Sequence, residues 1–247
     1  MVMSMAPAIE RGVNRKLVIA LVLLTVALIS VVYYSTHREI TDPHVLIAKT
    51  VDASKRVDSY RFEFITALTV PDGEVVMLSG SGCVDYRTQR MRTAITMLDR
   101  SVEMILINDT AYVREPLGAW QRANVTDRAI LVSSYDQLAH QRSILTNASN
   151  ITMRADTDGW LVEIVPNRTD VITQLNGAGL ALSGNEELQD FAITYRIDRG
   201  TFYITDIENR IELELNIQGL LTPIELTSTI RLYGYHEVPV IEAPVCH

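Results

Sequence analysis

Residues 211–232 read IELELNIQGLLTPIELTSTIRL, and their alternation decides the fold class. Ile211, Leu213, Leu215 and Ile217 alternate with Glu212, Glu214, Asn216 and Gln218. After Leu221-Thr222-Pro223, which reads as a turn, Ile224, Leu226, Ser228, Ile230 and Leu232 alternate with Glu225, Thr227, Thr229 and Arg231. Strand side chains point to opposite faces with a period of two, so each run has one packing face and one wet face. Single-sided burial of this kind is the mark of antiparallel sheets, because parallel strands are covered on both faces.

The same chemistry extends in both directions. Upstream, Phe191, Ile193, Tyr195 and Ile197 alternate with polar residues. Near the start, Tyr60, Phe62 and Phe64 alternate with Arg61 and Glu63, Pro71-Asp72-Gly73 supplies a turn, and residues 74–86 return. Strands follow at 90–98, 102–108 and 111–114, with an extended piece from Leu117 to Trp120, and Asp158-Gly159 splits 150–166 into a hairpin. Helical periodicity is confined to three places. Asp42-Pro43 opens a helix to about Val57 through Val45, Ala48, Val51 and Ala53; Asp127 caps another to about Leu145; a short one spans 169–175. The glycine-rich stretch 176–185 reads as a loop and a candidate lid. The expected domain is α+β: a curved antiparallel sheet, open as a half-barrel, with helices on its concave face. Phe62, Phe64, Ile211, Leu213, Leu215, Ile224, Leu226, Ile230 and Leu232 are its candidate ligand-lining residues.

Residues 17–34, LVIALVLLTVALISVVYY, carry no charge. As a helix this run is roughly 27 Å long at ~1.5 Å per residue, close to the ~30 Å hydrocarbon thickness of a bilayer. Arg11, Arg15 and Lys16 precede it against the single acid Glu10, which keeps the N-terminus cytoplasmic, and Tyr33-Tyr34 close the far end. No small-x-small cleavage site and no cysteine follow the run directly, so an uncleaved signal anchor is favoured over a signal peptide. The expected organisation is a cytoplasmic tail (1–16), a transmembrane anchor (17–34), a juncture (35–41) and an extracytoplasmic domain (42–247). The expected location is the cell membrane, single-pass, within the cell envelope.

The whole chain holds 22 basic and 30 acidic residues. Residues 1–34 account for three and one of these, so the outer part carries about −10. Such a surface repels phosphate backbones, which excludes nucleic acid as a natural partner. The two cysteines, Cys83 and Cys246, both fall in the outer part, where a disulfide between them is expected to persist. Five Asn-x-Ser/Thr sequons, at Asn108, Asn124, Asn147, Asn150 and Asn167, mark candidate glycosylation sites of an exported glycoprotein.

Catalytic and metal signatures are lacking. His37, His44, His140, His236 and His247 share no ligand spacing with one another, and the calcium-like start Asp156-Thr157-Asp158-Gly159 lacks its closing glutamate. Ser79-Gly80-Ser81-Gly82 and Ser133-Ser134 have no nucleophile-elbow context, and Glu212 and Glu214 share a strand face directed away from the packing residues. No cofactor, no metal and no enzymatic activity are expected.

The order of elements resembles the lipoprotein-carrier superfamily of LolA-like and LppX/LprG-type proteins over roughly residues 42–245. The resemblance is carried by Val57-Asp58-Ser59-Tyr60-Arg61-Phe62, by Gly82-Cys83-Val84-Asp85-Tyr86, by Tyr112 followed by Trp120, and by the closing stretch Gly234 to Pro244. It implies an open half-barrel whose apolar concave surface holds acyl chains. This chain departs from that pattern in keeping an uncharged helix where relatives are soluble or acylated at a cysteine. A tethered carrier hands its ligand over locally. The function expected is therefore non-catalytic binding of lipid or another apolar ligand, the alternative being a cell-surface scaffold with a filled core.

Overall fold

The computed structural model describes residues 24–26, 40–71, 73–98, 100–124, 136–169, 171–172, 186–217 and 220–245. Eleven strands alternate in direction along the chain: β1 (Ser59–Val70), β2 (Gly73–Asp85), β3 (Arg90–Met97), β4 (Arg100–Ile107), β5 (Thr110–Arg114), β6 (Gln121–Asn124), β7 (Ile151–Ala155), β8 (Gly159–Ile164), β9 (Glu186–Asp198), β10 (Ile204–Ile217) and β11 (Leu220–Tyr233). They form one sheet in the order β6-β5-β4-β3-β2-β1-β11-β10-β9-β8-β7. Two meanders, β1–β6 and β7–β11, are thus joined where the first strand pairs antiparallel with the last. β6 and β7 form the two edges, and the sheet stays open.

Register shows which residues share a face. Phe62 pairs with Leu232 and Phe64 with Ile230; Ile230 pairs with Ile207, Leu226 with Ile211 and Ile224 with Leu213; Ile207 pairs with Tyr195, which pairs with Val162. All of these occupy one inner face. Glu212, lying between Ile211 and Leu213, takes the outer face, where Arg210 pairs with both Glu212 (2.7 Å) and Glu225 (2.8 Å). Glu214, two residues on, shares that outer face, opposite the packing residues.

Among the described residues, two helices of ten or more residues lie on the inner face. α1 (Pro43–Lys55) starts at Asp42, whose carboxylate accepts from the His44 amide at 2.8 Å, with proline in the first turn. Its buried stripe is Leu46, Ile47, Thr50, Val51 and Ser54. Of the periodic residues Val45, Ala48, Val51 and Ala53, the last two are buried and the first two are exposed; α1 packs against α2 and β7, and that contact direction selects the 46/47/50 stripe. α2 (Gln137–Thr146) is capped by Asp136, nine residues beyond the Asp127 cap expected from the sequence; residues 125–135 lie outside the described residues.

Further expectations are corrected or left outside. β10 runs to Ile217 and β11 begins at Leu220, so Pro223, expected in a turn, lies within β11. Proline is tolerated there because β1 reaches only to Glu225, so position 223 has a ladder neighbour on one side only. Cys83 is a free thiol on the outer side of β2, opposite Arg61 and Arg92, and the expected Cys83–Cys246 bridge is not formed among the described residues. Cys246 itself lies outside them, as does the loop 176–185. Among the described residues no helix is long and apolar enough to cross a membrane. The anchor run 17–34 lies outside them except for residues 24–26, which are helical. Of the short helix expected at 169–175, residues 169, 171 and 172 are helical and 170 and 173–175 lie outside.

One end of the sheet is closed. Tyr60, Phe62, Tyr195, Ile197, Ile207 and Leu232 are buried there with Leu46, Leu138 and Leu145 of the helices. Phe202 stacks on Trp160 at 5.5 Å, and the Lys49 ammonium of α1 sits 4.9 Å over the Phe202 ring. After β11 the chain turns at Gly234 and crosses this end. The Ser59 hydroxyl donates to the Glu237 carbonyl (2.8 Å), Arg90 donates to the Ile241 carbonyl (2.7 Å), and Ile241 is buried. His236, which is exposed, lies 2.7 Å from the Tyr203 hydroxyl and 3.7 Å from Asp58.

Candidate functional site

Burial along the inner face is graded. On β11, Leu232 and Ile230 are buried, Leu226 and Ile224 are half-buried, and Leu220 is exposed. β1 shows the same trend: Tyr60 and Phe62 are buried, Phe64 and Leu68 half-buried. The described helices therefore cover the end where β1 begins, and among the described residues burial of the inner face falls toward the hairpins β1–β2, β3–β4 and β10–β11. An apolar face uncovered in this way is the natural place for an apolar ligand.

The floor of the inner face, from its closed end at Phe62 toward its uncovered half at Phe64, has a specific construction. Phe62 pairs with Gly82 and Phe64 with Gly80 on the neighbouring strand. A Cβ on Gly82 would lie 2.4 Å from Phe62 Cζ, and one on Gly80 would lie 2.6 Å from Phe64 Cζ. The two phenyl rings thus lie across glycines that have no side chain to lift them, which flattens the floor. The motif Ser79-Gly80-Ser81-Gly82 is explained as packing and not as a nucleophile turn. One polar row crosses the face: the Thr66 hydroxyl donates to Ser228 at 3.0 Å, and Asn209 pairs with Ser228 in register.

A cavity of about 530 Å³ opens between α2 and the β8–β9 side of this face. Its apolar wall is Ile144, Ile164, Val171, Phe191 and Ile193, and its mouth is polar, with His140, Ser143, Asn147 and Asn167. Partial burial holds His140 below the ordinary histidine range, which favours its neutral form. Val171, Leu188, Ile211 and Leu213 form a buried cluster against which Phe191 and Leu226 pack. That cluster links the cavity to the candidate lining residues.

All nine candidates share the inner-face register. Phe62, Ile230 and Leu232 are consumed by the closed end, whereas Phe64, Ile224 and Leu226 border the uncovered half and Ile211 and Leu213 back the cavity. Leu215 holds the matching register position opposite Thr222, and its side chain lies outside the described residues. Sequence reasoning missed the α2 wall, Val171, and the use of Phe191 and Ile193 as cavity lining. The alternation of Phe191 and Ile193 was visible, but their meeting with Ile144 needed the β8–β9 pairing and the seat of α2.

α2 is held in place by a buried polar knot. The Asp136 carboxylate accepts from the Tyr60 hydroxyl (2.8 Å), the Tyr86 hydroxyl (2.8 Å) and the Ala139 amide (3.0 Å), while Tyr60 accepts from the Leu138 amide (3.1 Å). Farther along the helix, the Tyr195 hydroxyl donates to Gln141 at 2.8 Å. Burial first, and then the Asp136 charge, push the Tyr60 and Tyr86 hydroxyls well above their ordinary range, so both remain donors. Among the described residues no group of three or more His, Cys, Asp or Glu is placed to hold a metal ion. The exposed sequon asparagines with described side chains are Asn108, in the β4–β5 turn, and Asn147, Asn150 and Asn167.

By sequence, no family model and no curated protein matches the chain. Solved structures do. The Mycobacterium tuberculosis lipoprotein LppX is similar over 81% of this chain and 100% of its own, at 13% identity and a TM-score of 0.50. LprF from Mycobacterium bovis matches 81% of this chain and 96% of its own, at 11% identity and a TM-score of 0.44. A LolA superfamily protein from Nitrosomonas europaea covers the same shares at 11% identity and a TM-score of 0.30. The similarity to LppX, which extends over that whole chain, agrees with the antiparallel order and the helix-covered inner face derived above. The chain has the LolA-like fold of the LppX/LprG type, an open antiparallel half-barrel.

Proposed function

We propose that this protein is a membrane-anchored extracytoplasmic holder of lipid, which captures an acyl chain non-covalently on its inner face and does no chemistry on it. One observation carries the reading. The apolar face is closed at one end and uncovered at the other, and it opens into a cavity of about 530 Å³ walled by Ile144, Ile164, Val171, Phe191 and Ile193. That volume lies in the ~300–1,000 Å³ range of small-molecule sites. Each methylene taken from water into such a site contributes about 0.8 kcal/mol, so one chain suffices for useful affinity without a single ion pair. The LolA-like fold and the uncharged run 17–34 support the same reading, the second by tethering the domain to its source of ligand.

The test is direct. The full chain is purified in detergent, exchanged into a lipid of distinct mass, extracted with organic solvent and analysed by mass spectrometry. The expected result is a stoichiometric acyl lipid in the parent, and loss of at least 80% of it in Phe191→Asp and Leu226→Asp, with far-ultraviolet circular dichroism retained. Both side chains are half-buried, so charge is tolerated at the fold's cost but not in the groove. No bound lipid in the parent, together with no uptake of a fluorescent fatty acid, leaves the scaffold reading, to which the closed end around Tyr60, Phe62 and Tyr195 already conforms.

A further inference from the structure

The cavity between α2 and the β8–β9 side sorts its lining by chemistry. Ile164, Val171 and Ile193 at its wall are buried, whereas His140, Ser143, Asn147 and Asn167 at its mouth are exposed. An apolar cavity of ~150 Å³ holds the six carbons of benzene, so about 530 Å³ holds on the order of twenty. One long acyl chain fills that space, and two exceed it. The mouth meets a head group with hydrogen bonds and no charge. Among the described residues no Asp, Glu, Lys or Arg lines the cavity. Beside these residues in the sequence, Arg168 and Asp170 are of opposite sign, and residues 171–185 carry no charge. Donors and acceptors are balanced instead. The Asn147 side-chain amide donates to the Ser143 carbonyl at 3.1 Å, which leaves its own oxygen to accept. The Asn167 side-chain oxygen accepts from the Thr169 amide at 2.9 Å, which leaves its NH₂ group to donate. Neutral His140 and the Ser143 hydroxyl each supply a donor and an acceptor.

We infer that the ligand of this cavity is a single-chain lipid with an uncharged, hydroxylated head, of the monoacylglycerol class, its chain inside and its head at the mouth. The inference rests on the lipid-holding reading and names the class of lipid. A hydroxyl both donates and accepts, so a head bearing two of them satisfies groups of both kinds at the mouth. An ionised carboxylate or phosphate only accepts. It faces the Asn147 oxygen without a lining cation to hold it, and it meets the field of a domain of about −10. A quaternary ammonium neither donates nor accepts, and so leaves all four mouth residues to water. Exposure of the mouth keeps the hydroxylated head partly hydrated, while the buried wall takes only the chain. Chain burial supplies the affinity, and the mouth supplies the choice of head.

The test is a competition among lipids that share one acyl chain. The full chain is produced in a host without N-glycosylation, because Asn147 and Asn167 also head sequons. In detergent it is offered an equimolar mixture of monopalmitoylglycerol, palmitate, palmitoyl-lysophosphatidylcholine and dipalmitoylglycerol, and the retained lipid is counted by mass spectrometry. Monopalmitoylglycerol is expected at one per chain and at least fivefold over each of the others, with ratios unchanged by 0.5 M salt. Ser143→Lys and Asn167→Lys place a cation at the mouth, from α2 and from the segment after β8. Each is expected to raise palmitate relative to monopalmitoylglycerol at least fivefold, with far-ultraviolet circular dichroism retained; two positions guard against one variant failing to fold. Equal or greater retention of palmitate or lysophosphatidylcholine by the parent overturns the inference. Equal retention of dipalmitoylglycerol, or an unmoved ratio in both lysine variants, does the same. Those outcomes leave lipid holding intact, whereas retention of none of the four refutes lipid holding and the inference with it.

Discussion

The Tyr60 hydroxyl donates to the Asp136 carboxylate at 2.8 Å, across 76 positions of sequence, and this bond ties the first strand to the start of the helix that walls the cavity. Both residues are buried, and Tyr86 shares the same carboxylate. Asp136→Ala leaves the buried Tyr60 phenol, the half-buried Tyr86 phenol and a helix amide without their acceptor. The expected loss is about 3 kcal/mol, from unpaired buried donors and a missing cap. Urea denaturation measures it. Asp136→Asn keeps an oxygen for Tyr60 and Ala139 and should lose less; equal midpoints for parent and Asp136→Ala would show that the knot contributes nothing.

The glycine floor makes a second prediction. Gly82→Ala forces a methyl into Phe62 Cζ at 2.4 Å and the Arg92 carbonyl at 2.6 Å. Phe62 is buried among Tyr60 and Phe64 rings at 6.0 and 6.4 Å, so it has no room to retreat. Overpacking of this kind costs about 1–3 kcal/mol. A thermal midpoint within 1 °C of the parent would disprove the contact.

Thr50 offers the opposite sign. Its Oγ1 is buried on α1 with no hydrogen-bond partner among the described residues. Thr50→Val keeps the branched shape and removes an unpaired hydroxyl, which should stabilise the chain by about 1 kcal/mol and raise its melting temperature by a few degrees. A lower melting temperature would mean that the hydroxyl is satisfied in solution.

Alkaline pH is the natural stress on this core. Burial raises the ionisation of Tyr60, Tyr86, Tyr195 and Tyr235 above the ordinary tyrosine value, with the Asp136 charge the next cause at the first two. Below about pH 10 the folded and unfolded chains both keep these protons, and their contribution to stability is constant. Above it only the unfolded chain releases them, so stability falls as pH climbs toward the folded values. Urea midpoints at pH 8, 10 and 11 should therefore be level and then drop. Absorbance at 295 nm should show these four tyrosines ionising together with unfolding; ionisation near pH 10 in the folded chain would refute the assignment.

Much of the fold was legible because period-two patterning is a local property. The alternation at 211–232 named the inner-face residues of β10 and β11 correctly, and the resemblance carried by residues 57–62 and 82–86 pointed to the half-barrel that the similarity to LppX supports. Local signals failed where two demands competed. Pro223 resembled a turn residue yet lies in β11, because the end of β1 frees it from a second ladder. Val45 and Ala48 followed a helical period yet face water, because α2 and β7 decide which stripe of α1 is covered.

By itself the amino-acid order determined the antiparallel class, the inner-face set and the absence of a recognisable catalytic motif, since each depends on neighbours within a few residues. Tertiary structure alone decided that Phe62 and Leu232 are core while Leu226 borders a groove, that Phe191 and Val171 wall a cavity, and that Asp136 anchors its helix to Tyr60. Those outcomes turn on where two helices end above a sheet. Contact between segments far apart in the chain sets that coverage, and no local period encodes it.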